Sequence, residues 1–473
     1  MRQVFSVLVG FLIFSGLVGC EEGPNEKSGM EYETQDLVKV LSQAYLYGYP
    51  ILTMDYTHIT STNVEANNGM GKAPMNQWAG MFKFPKAGFT AVVRPNVDTY
   101  YSVVFADLSK GGLYLEIPAT QRYYLIPILN AFGDVVESLG SRTTGQGVQR
   151  IAFIGPDFEG EIPDGLKVIQ SNTSLNWVLG RVAVKNDEDG IEEVSNFQAK
   201  LEARPLDQID NPAYTSPKGK VDPDLRFVPM DKVDNMDIET YFNEMMALMV
   251  SNPARTEDAA LMAQLKEVGI EPGGKFDLSL FTEEQQAAIK KIPQMIQNEF
   301  AKTTAEPQKE LMQNGWMVNT SGLGDYGVDY ALRAYITKIG YGANKAEDAI
   351  YPNSAVDADG NAYNGSNKYV MHFDADKLPP VDGFWSLTMY DKKGFLVDNS
   401  IDRYNLGSQK AMNYNPDGSL DIFIQATPPE GKEMNWLPSP PAGEEFELTF
   451  RMYWPREEVL SRSWQMPGVQ KVD

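Results

Sequence analysis

Guanidinium, carboxylate and phenol groups gather in three stretches of this chain. The first is Arg94-Pro95-Asn96-Val97-Asp98-Thr99-Tyr100-Tyr101. Pro95 holds Arg94 extended, Asn96 and Asp98 favour a turn, and the paired tyrosines open a strand. Alternation then sends Tyr100 and Tyr101 to opposite faces, one inward and one outward. The second is Gly140-Ser141-Arg142-Thr143-Thr144-Gly145, a loop whose backbone N–H groups and arginine suit either an anion or a plain turn. The third runs from Phe384 to Tyr404 and crowds Trp385, Tyr390, Asp398, Asn399, Asp402, Arg403 and Tyr404 together. Such groups have two uses. The planar fork of arginine pairs bidentately with carboxylates and can brace domain junctions. In a cleft, arginine fixes an acidic or carbonyl group while rings stack on an apolar or sugar face. The ligand-binding candidates are Arg94, Asp98, Tyr100, Tyr101, Arg142, Trp385, Asp402, Arg403 and Tyr404.

Other chemistries are excluded by residue type. Only His58 and His372 are present, too few for a three-histidine zinc site, and a Ser/His/Asp triad would have to recruit one of them. The sequence has no GxSxG, no GxxxxGK[ST] and no GxGxxG after a strand. Asp357-Ala358-Asp359-Gly360-Asn361 superficially resembles a calcium loop. Its glycine is fourth, however, and Lys368 falls where an EF-hand needs glutamate, so a hairpin turn is expected. Asp187-Glu188-Asp189-Gly190 reads as a solvated acidic turn. No metal and no cofactor is expected. With 41 Lys+Arg against 64 Asp+Glu the net charge is −23, which argues against nucleic acid and against a basic membrane-binding patch.

The N-terminus supplies an address. Met1-Arg2-Gln3 is a short basic start, and Val4 to Val18 is nearly all apolar or small, the pattern of a secretory signal peptide. It ends in Leu17-Val18-Gly19-Cys20, which resembles a bacterial lipobox, with cleavage before Cys20 and lipid on its sulfur. Acyl chains on Cys20 supply more than single-chain anchoring. Glu21, in place of aspartate, points to the outer membrane. Cys20 is the only cysteine, so once it is acylated no thiol remains for disulfides, nucleophiles or thiolate metal sites.

The elements that must position these groups follow from periodicity. Residues 1–19 are a signal peptide and 20–33 a tether. Residues 34–230 form an N-terminal domain with a leading helix over Thr34 to Tyr49, ended or kinked by Pro50. Residues 55–90 read as loop with short helical pieces. Strands follow at Ala91–Val93, Thr99–Asp107, Leu113–Ile117, Tyr123–Leu129, Val135–Leu139, Val148–Ile154, Lys167–Ser171 and Trp177–Val184, a spacing that suggests a sandwich. A helical region spans 231–345, with helices at Asp234–Asn252, Glu257–Val268, Thr282–Thr303 (capped by Thr282 and kinked at Pro293) and Tyr330–Tyr341. Residues 346–473 return to β, with strands at Tyr369–Phe373, Phe384–Tyr390, Leu420–Gln425 and Glu445–Trp454.

The motifs carry a family resemblance. Arg94 to Leu108, Gly140 to Gly145 and Trp177-Val178-Leu179-Gly180-Arg181 are similar to bacterial domain-of-unknown-function family 1254. Gly383 to Asp391, Asn399 to Leu406, Asn435-Trp436-Leu437-Pro438 and Arg451-Met452-Tyr453-Trp454-Pro455 resemble its usual C-terminal companion, family 1214. The resemblance implies a mainly β chain: an N-terminal immunoglobulin-like β-sandwich, a helical middle region and a C-terminal jelly-roll-like β domain. It also implies an exported protein, with oligomers among its relatives. It brings no established reaction, so no catalytic residue is carried over.

Three functions are open at this point. In one, a lipid-anchored protein binds a small molecule or carbohydrate in an inter-domain cleft lined by the arginines and aromatics. In another, a metal-independent enzyme uses Asp98 or Asp402 as base, Tyr100, Tyr101 or Tyr404 as acid, and Arg94 or Arg142 against developing negative charge. In the last, the motifs only brace a structural envelope protein. If the arginines and Asp98 pair with one another in a dry interior, the bracing role is favoured; if they converge on an open pocket, a ligand is.

Overall fold

The computed structural model describes residues 32–90, 92–185, 188–305 and 308–473. The signal peptide, Cys20 and most of the tether lie outside the described residues.

The N-terminal β region is built from two sheets. One has the order β1-β2-β8-β4-β5 and the other β7-β6-β3-β9. The strands are β1 (Ala79–Gly80), β2 (Thr99–Asp107), β3 (Leu113–Ile117), β4 (Tyr124–Asn130), β5 (Val135–Gly140), β6 (Gln149–Ile154), β7 (Lys167–Gln170), β8 (Leu175–Ala183) and β9 (Glu202–Pro205). Alternation drives the packing. Tyr100, Val104 and Ala106 of β2 and Val178 and Val182 of β8 meet Leu113, Leu115, Ile151 and Phe153 of the second sheet in one buried cluster. Helix α2 (Glu188–Ala199) adds Val194 and Phe197 to that cluster. Of the expected acidic turn at Asp187-Glu188-Asp189-Gly190, Asp187 lies outside the described residues, and the chain from Glu188 on belongs to α2 instead.

The opposite face of the first sheet carries Val103, Phe105, Leu129, Leu175 and Leu179, and these pack under the helices. Helix α1 (Thr34–Thr62) runs through this layer against α3 (Pro229–Asp234), α4 (Ile238–Leu248), α5 (Ala259–Glu267), α6 (Glu283–Ile289), α7 (Ile292–Ala305) and α8 (Tyr330–Gly340). It is thus the core of the helical region, not merely a leader to the β domain. Every residue from Ala44 to Met54 is buried, the signature of a helix wrapped on all sides. That explains why α1 continues through Pro50 to Thr62 and does not stop at Tyr49. An interior proline costs about 3 kcal/mol, and burying each of Leu46, Ile51, Leu52 and Met54 returns about 1.5–3 kcal/mol. Thr282 caps α6 as expected, in a reciprocal box with Gln285. Pro293 does not kink one long helix; the chain breaks near Lys290, and Pro293 sits in the first turn of α7, where its missing N–H has no partner to lose.

The C-terminal β region is also a pair of sheets. Its strands are β10 (Met312–Gln313), β11 (Trp316–Met317), β12 (Ala349–Ile350), β13 (Asn353–Ser354), β14 (Lys368–Phe373), β15 (Val381–Asp391), β16 (Asn405–Gly407), β17 (Leu420–Gln425), β18 (Trp436–Pro438), β19 (Phe446–Pro455) and β20 (Val469–Val472). The sheet β10-β11-β13-β19-β15-β16 packs on β18-β17-β14-β20 through Trp385, Leu387, Phe450, Met371, Ile422 and their neighbours. A short helix, α9 (Glu457–Leu460), follows β19. The chain is therefore β-rich with a helical middle region. Val92 and Val93, expected in a strand, are exposed and unpaired, while Ala91 lies outside the described residues. Among the described residues no helix is long and apolar enough to cross a membrane.

Candidate functional site

β15 and β19 divide their side chains between two environments. Trp385, Leu387, Met389, Leu448, Phe450 and Met452 point into the C-terminal core. The alternate residues, among them Phe384, Ser386, Thr388, Arg451 and Tyr453, line a seam against the N-terminal sandwich. The loop entering β2 crosses that seam. The side-chain oxygen of Asn96 accepts the N–H groups of Asp98 (2.7 Å) and Thr99 (3.2 Å), folding the turn that residue type suggested. Its amide donates to the Tyr453 hydroxyl at 2.9 Å.

This turn delivers Asp98 into the seam, only 5% exposed. One carboxylate oxygen accepts from the Ser386 hydroxyl at 2.7 Å, and the other from the Asn405 amide at 2.5 Å. The carbonyl oxygen of the same Asn405 side chain accepts from the Lys410 ammonium, which also donates to the Asn405 backbone oxygen at 3.0 Å. Carboxylate, amide and ammonium therefore stand in line. The surrounding cavity has a volume of about 20 Å³ and is lined by Val97, Asp98, Val184, Lys185, Phe384, Trp385, Ser386, Asn405, Gly407, Gln409 and Lys410. That is the scale of one water molecule. It admits a terminal polar group and not a sugar ring. Burial pushes the Lys410 ammonium down to about 8; the Asp98 charge opposes that fall and the Arg403 charge adds to it. An ammonium carries three donors. Asn405 accepts two from Lys410, which also lines the cavity.

The other sequence candidates are distributed along the seam and beyond it. Tyr101 faces the seam with the Arg181 guanidinium over its ring at 5.1 Å, whereas Tyr100 turns into the sandwich core against Phe84. Arg142 donates to Asp348 at 2.7 Å, and Ser138 donates to the second oxygen of that carboxylate at 2.6 Å. The loop around Arg142 keeps its amides to itself: the N–H groups of Thr143, Thr144 and Gly145 all donate to the Gly140 carbonyl, so it is a turn and not an anion cradle. Arg94 is not extended. It takes a left-handed φ of 48°, with its N–H bound to the Gly394 carbonyl at 2.7 Å and its guanidinium bound to Glu447 at 2.5 Å. These cross-seam bonds override the preference set by Pro95. Asp402 is exposed and pairs with Lys86 and with the Tyr404 hydroxyl, each at 2.7 Å. Arg403 donates to the backbone carbonyls of Glu433 and Trp436. The Trp385 ring stacks on Phe450 with centroids 5.2 Å apart. Arg94, Asp98, Arg142 and Arg403 thus neither pair with one another nor converge on one pocket. Asp98 and Trp385 reach the cavity, and Ser386, Asn405 and Lys410 complete it. A lysine in Ser408-Gln409-Lys410 has no local signature that separates it from a surface lysine.

The histidines stand elsewhere. His58 on α1 is pushed down to about 4 by burial, and His372 on β14 is raised by its hydrogen bond to Asp421. Asp357 caps a tight turn by accepting the N–H groups of Asp359 and Asn361. Among the described residues no group of three or more His, Cys, Asp or Glu side chains is placed to hold a metal ion.

Residues 75–205 match a family described as "Protein of unknown function (DUF1254)", and residues 348–457 match "Protein of unknown function (DUF1214)". The first segment contributes Asp98, Val184 and Lys185 to the cavity and the second contributes Ser386, Asn405 and Lys410, so the cavity lies where the two families meet. The crystal structure of the VPA0106 protein from Vibrio parahaemolyticus aligns with a TM-score of 0.69 at 23% identity, covering 92% of this chain and 100% of that one; the two share a fold. An uncharacterised protein from Burkholderia cenocepacia aligns with a TM-score of 0.43 at 13% identity, over 93% of this chain and 96% of that one. No curated protein matches the chain.

Proposed function

For a chain that carries a DUF1254 region followed by a DUF1214 region, we propose the role of an exported, lipid-anchored envelope protein that captures the polar end group of a small molecule in the seam. The end group is a carboxylate or a carbonyl that accepts the third Lys410 proton. The remainder of the ligand lies outside, over Lys185 and Gln409. One observation carries this reading: a half-buried ammonium with two acceptors for three donors, opening on a cavity of about 20 Å³. Lys185 and Lys410 line this spot with positive charge within a chain of net charge −23. The Asp98 charge is offset by the Lys410 ammonium, one amide away.

Export and acylation at Cys20, with the outer membrane as destination, belong to the same proposal, as do the immunoglobulin-like and jelly-roll-like character of the two sandwiches. An enzymatic role for Tyr100 or Asp402 draws no support from their positions, one in the sandwich core and the other exposed in an ion pair.

Titration with acetate, followed by NMR or calorimetry, tests the binding. Saturable binding in the wild type that weakens at least tenfold in Lys410→Met supports it. Equal binding by both proteins, or none by the wild type, sinks it. Labelling of expressing cells with a palmitate analogue, lost in Cys20→Ser, tests the anchor.

A further inference from the structure

We infer that Lys410 is a nucleophilic amine that condenses with a small aldehyde or 2-oxo acid, holding it in the seam as an imine. The inference rests on the binding reading above and names the ligand class it takes. A lysine that only forms a surface ion pair keeps its proton and its freedom of rotation. Lys410 is held differently: its Nζ is hydrogen-bonded to both oxygens of Asn405 and lines a cavity too small for more than an end group. Its surroundings disfavour the charged form. Burial is the main cause, and the Arg403 charge adds to it, while Asp98 lies one amide away and tempers both. With its ammonium lowered to about 8, the share of free amine at neutral pH is about 200-fold larger than for an ordinary lysine. The contrast with other lysines is direct. Lys86, Lys377 and Lys392 are raised by hydrogen bonds to Asp402, Asp374 and Glu445.

The step balances without any redox partner. The neutral amine of Lys410 attacks the carbonyl carbon, forming a carbon–nitrogen bond and a carbinolamine. The hydroxyl then leaves as water, taking up the protons that nitrogen loses, and a carbon–nitrogen double bond remains. Protonation of that imine restores a cation beside Asn405 and one amide from Asp98, where the ammonium stood before. A carboxylate on the same small molecule would face Lys185 at the cavity lining.

The test uses the full folded protein, glyoxylate and borohydride, which reduces an imine to a stable secondary amine that peptide mass spectrometry locates. The expected result at pH 7 is an adduct on Lys410 formed at least tenfold faster than on Lys185 or on the exposed Lys86, and absent in Lys410→Arg, with labelling of other lysines unchanged. Labelling of Lys410 no faster than that of exposed lysines overturns the inference, and because this comparison is made within the wild type it does not depend on any variant folding. Acetate titration separates the two proposals. Acetate binding without trapping removes the imine and leaves the binding site; loss of both removes both.

Discussion

Asp98→Ala is the sharpest perturbation of the seam. The carboxylate is 5% exposed and accepts from Ser386 at 2.7 Å and from Asn405 at 2.5 Å. Alanine leaves the Ser386 hydroxyl and the Asn405 amide without their acceptor, at about 1–3 kcal/mol for each buried donor. It also strips Lys410 of the one charge that opposes the fall of its proton affinity. Removing one member of a buried polar set of this kind costs about 3–5 kcal/mol. Asp98→Asn has nearly the same volume and keeps one acceptor, so about 1–2 kcal/mol is expected. Urea denaturation followed by tryptophan fluorescence measures both losses. A second readout is specific to the charge: in Asp98→Asn the pH at which Lys410 becomes reactive toward glyoxylate shifts downward, because the stabilising anion is gone. Loss of less than about 0.5 kcal/mol in Asp98→Ala, the range of an ordinary surface substitution, would refute the seam as a buried polar junction. Equal losses in the two variants with an unmoved reactivity profile would refute the role of the charge.

Two further outcomes test other parts of the fold. Burial and then Glu244 push the Asp55 carboxyl from 3.8 up to about 6; the folded chain therefore holds more protons than the unfolded chain between about pH 4 and 6, and stability falls as pH rises through that window. Asp55→Asn should be more stable than wild type at pH 7 by about 1–3 kcal/mol and equal to it near pH 4, and denaturation at the two pH values checks both the sign and the window. At Gly140 an added Cβ would stand 2.5 Å from the Tyr124 carbonyl oxygen, on rigid backbone; Gly140→Ala should lower stability by about 1–3 kcal/mol, whereas Gly147→Ala, with open space around it, should leave the thermal midpoint unchanged.

Local pattern was informative where a segment satisfies itself. The strands Thr99–Asp107, Leu113–Ile117 and Leu420–Gln425 have the bounds that alternation and flanking turn residues indicated. Thr282 with Gln285 closes its cap within one turn of chain. Helix α2 carries a weak local signal: Ile191, Val194 and Phe197 are the apolar residues it packs on the sandwich core, after an acidic start.

Residue types alone indicate the acidic character of the chain, its β-rich build with a helical middle region, and the turn that carries Asp98. These follow from composition and from neighbours within a few residues. The path of α1 through Pro50, the left-handed Arg94 and the partners of Asp98 were decided by tertiary structure. Ser386 and Asn405 lie 288 and 307 residues from the carboxylate they hold. A side chain's proton affinity depends on the solvent it loses and the charges it meets, and for Lys410 the Asp98 charge arrives from the other sandwich. That contribution is invisible in the residues next to Lys410 in the chain.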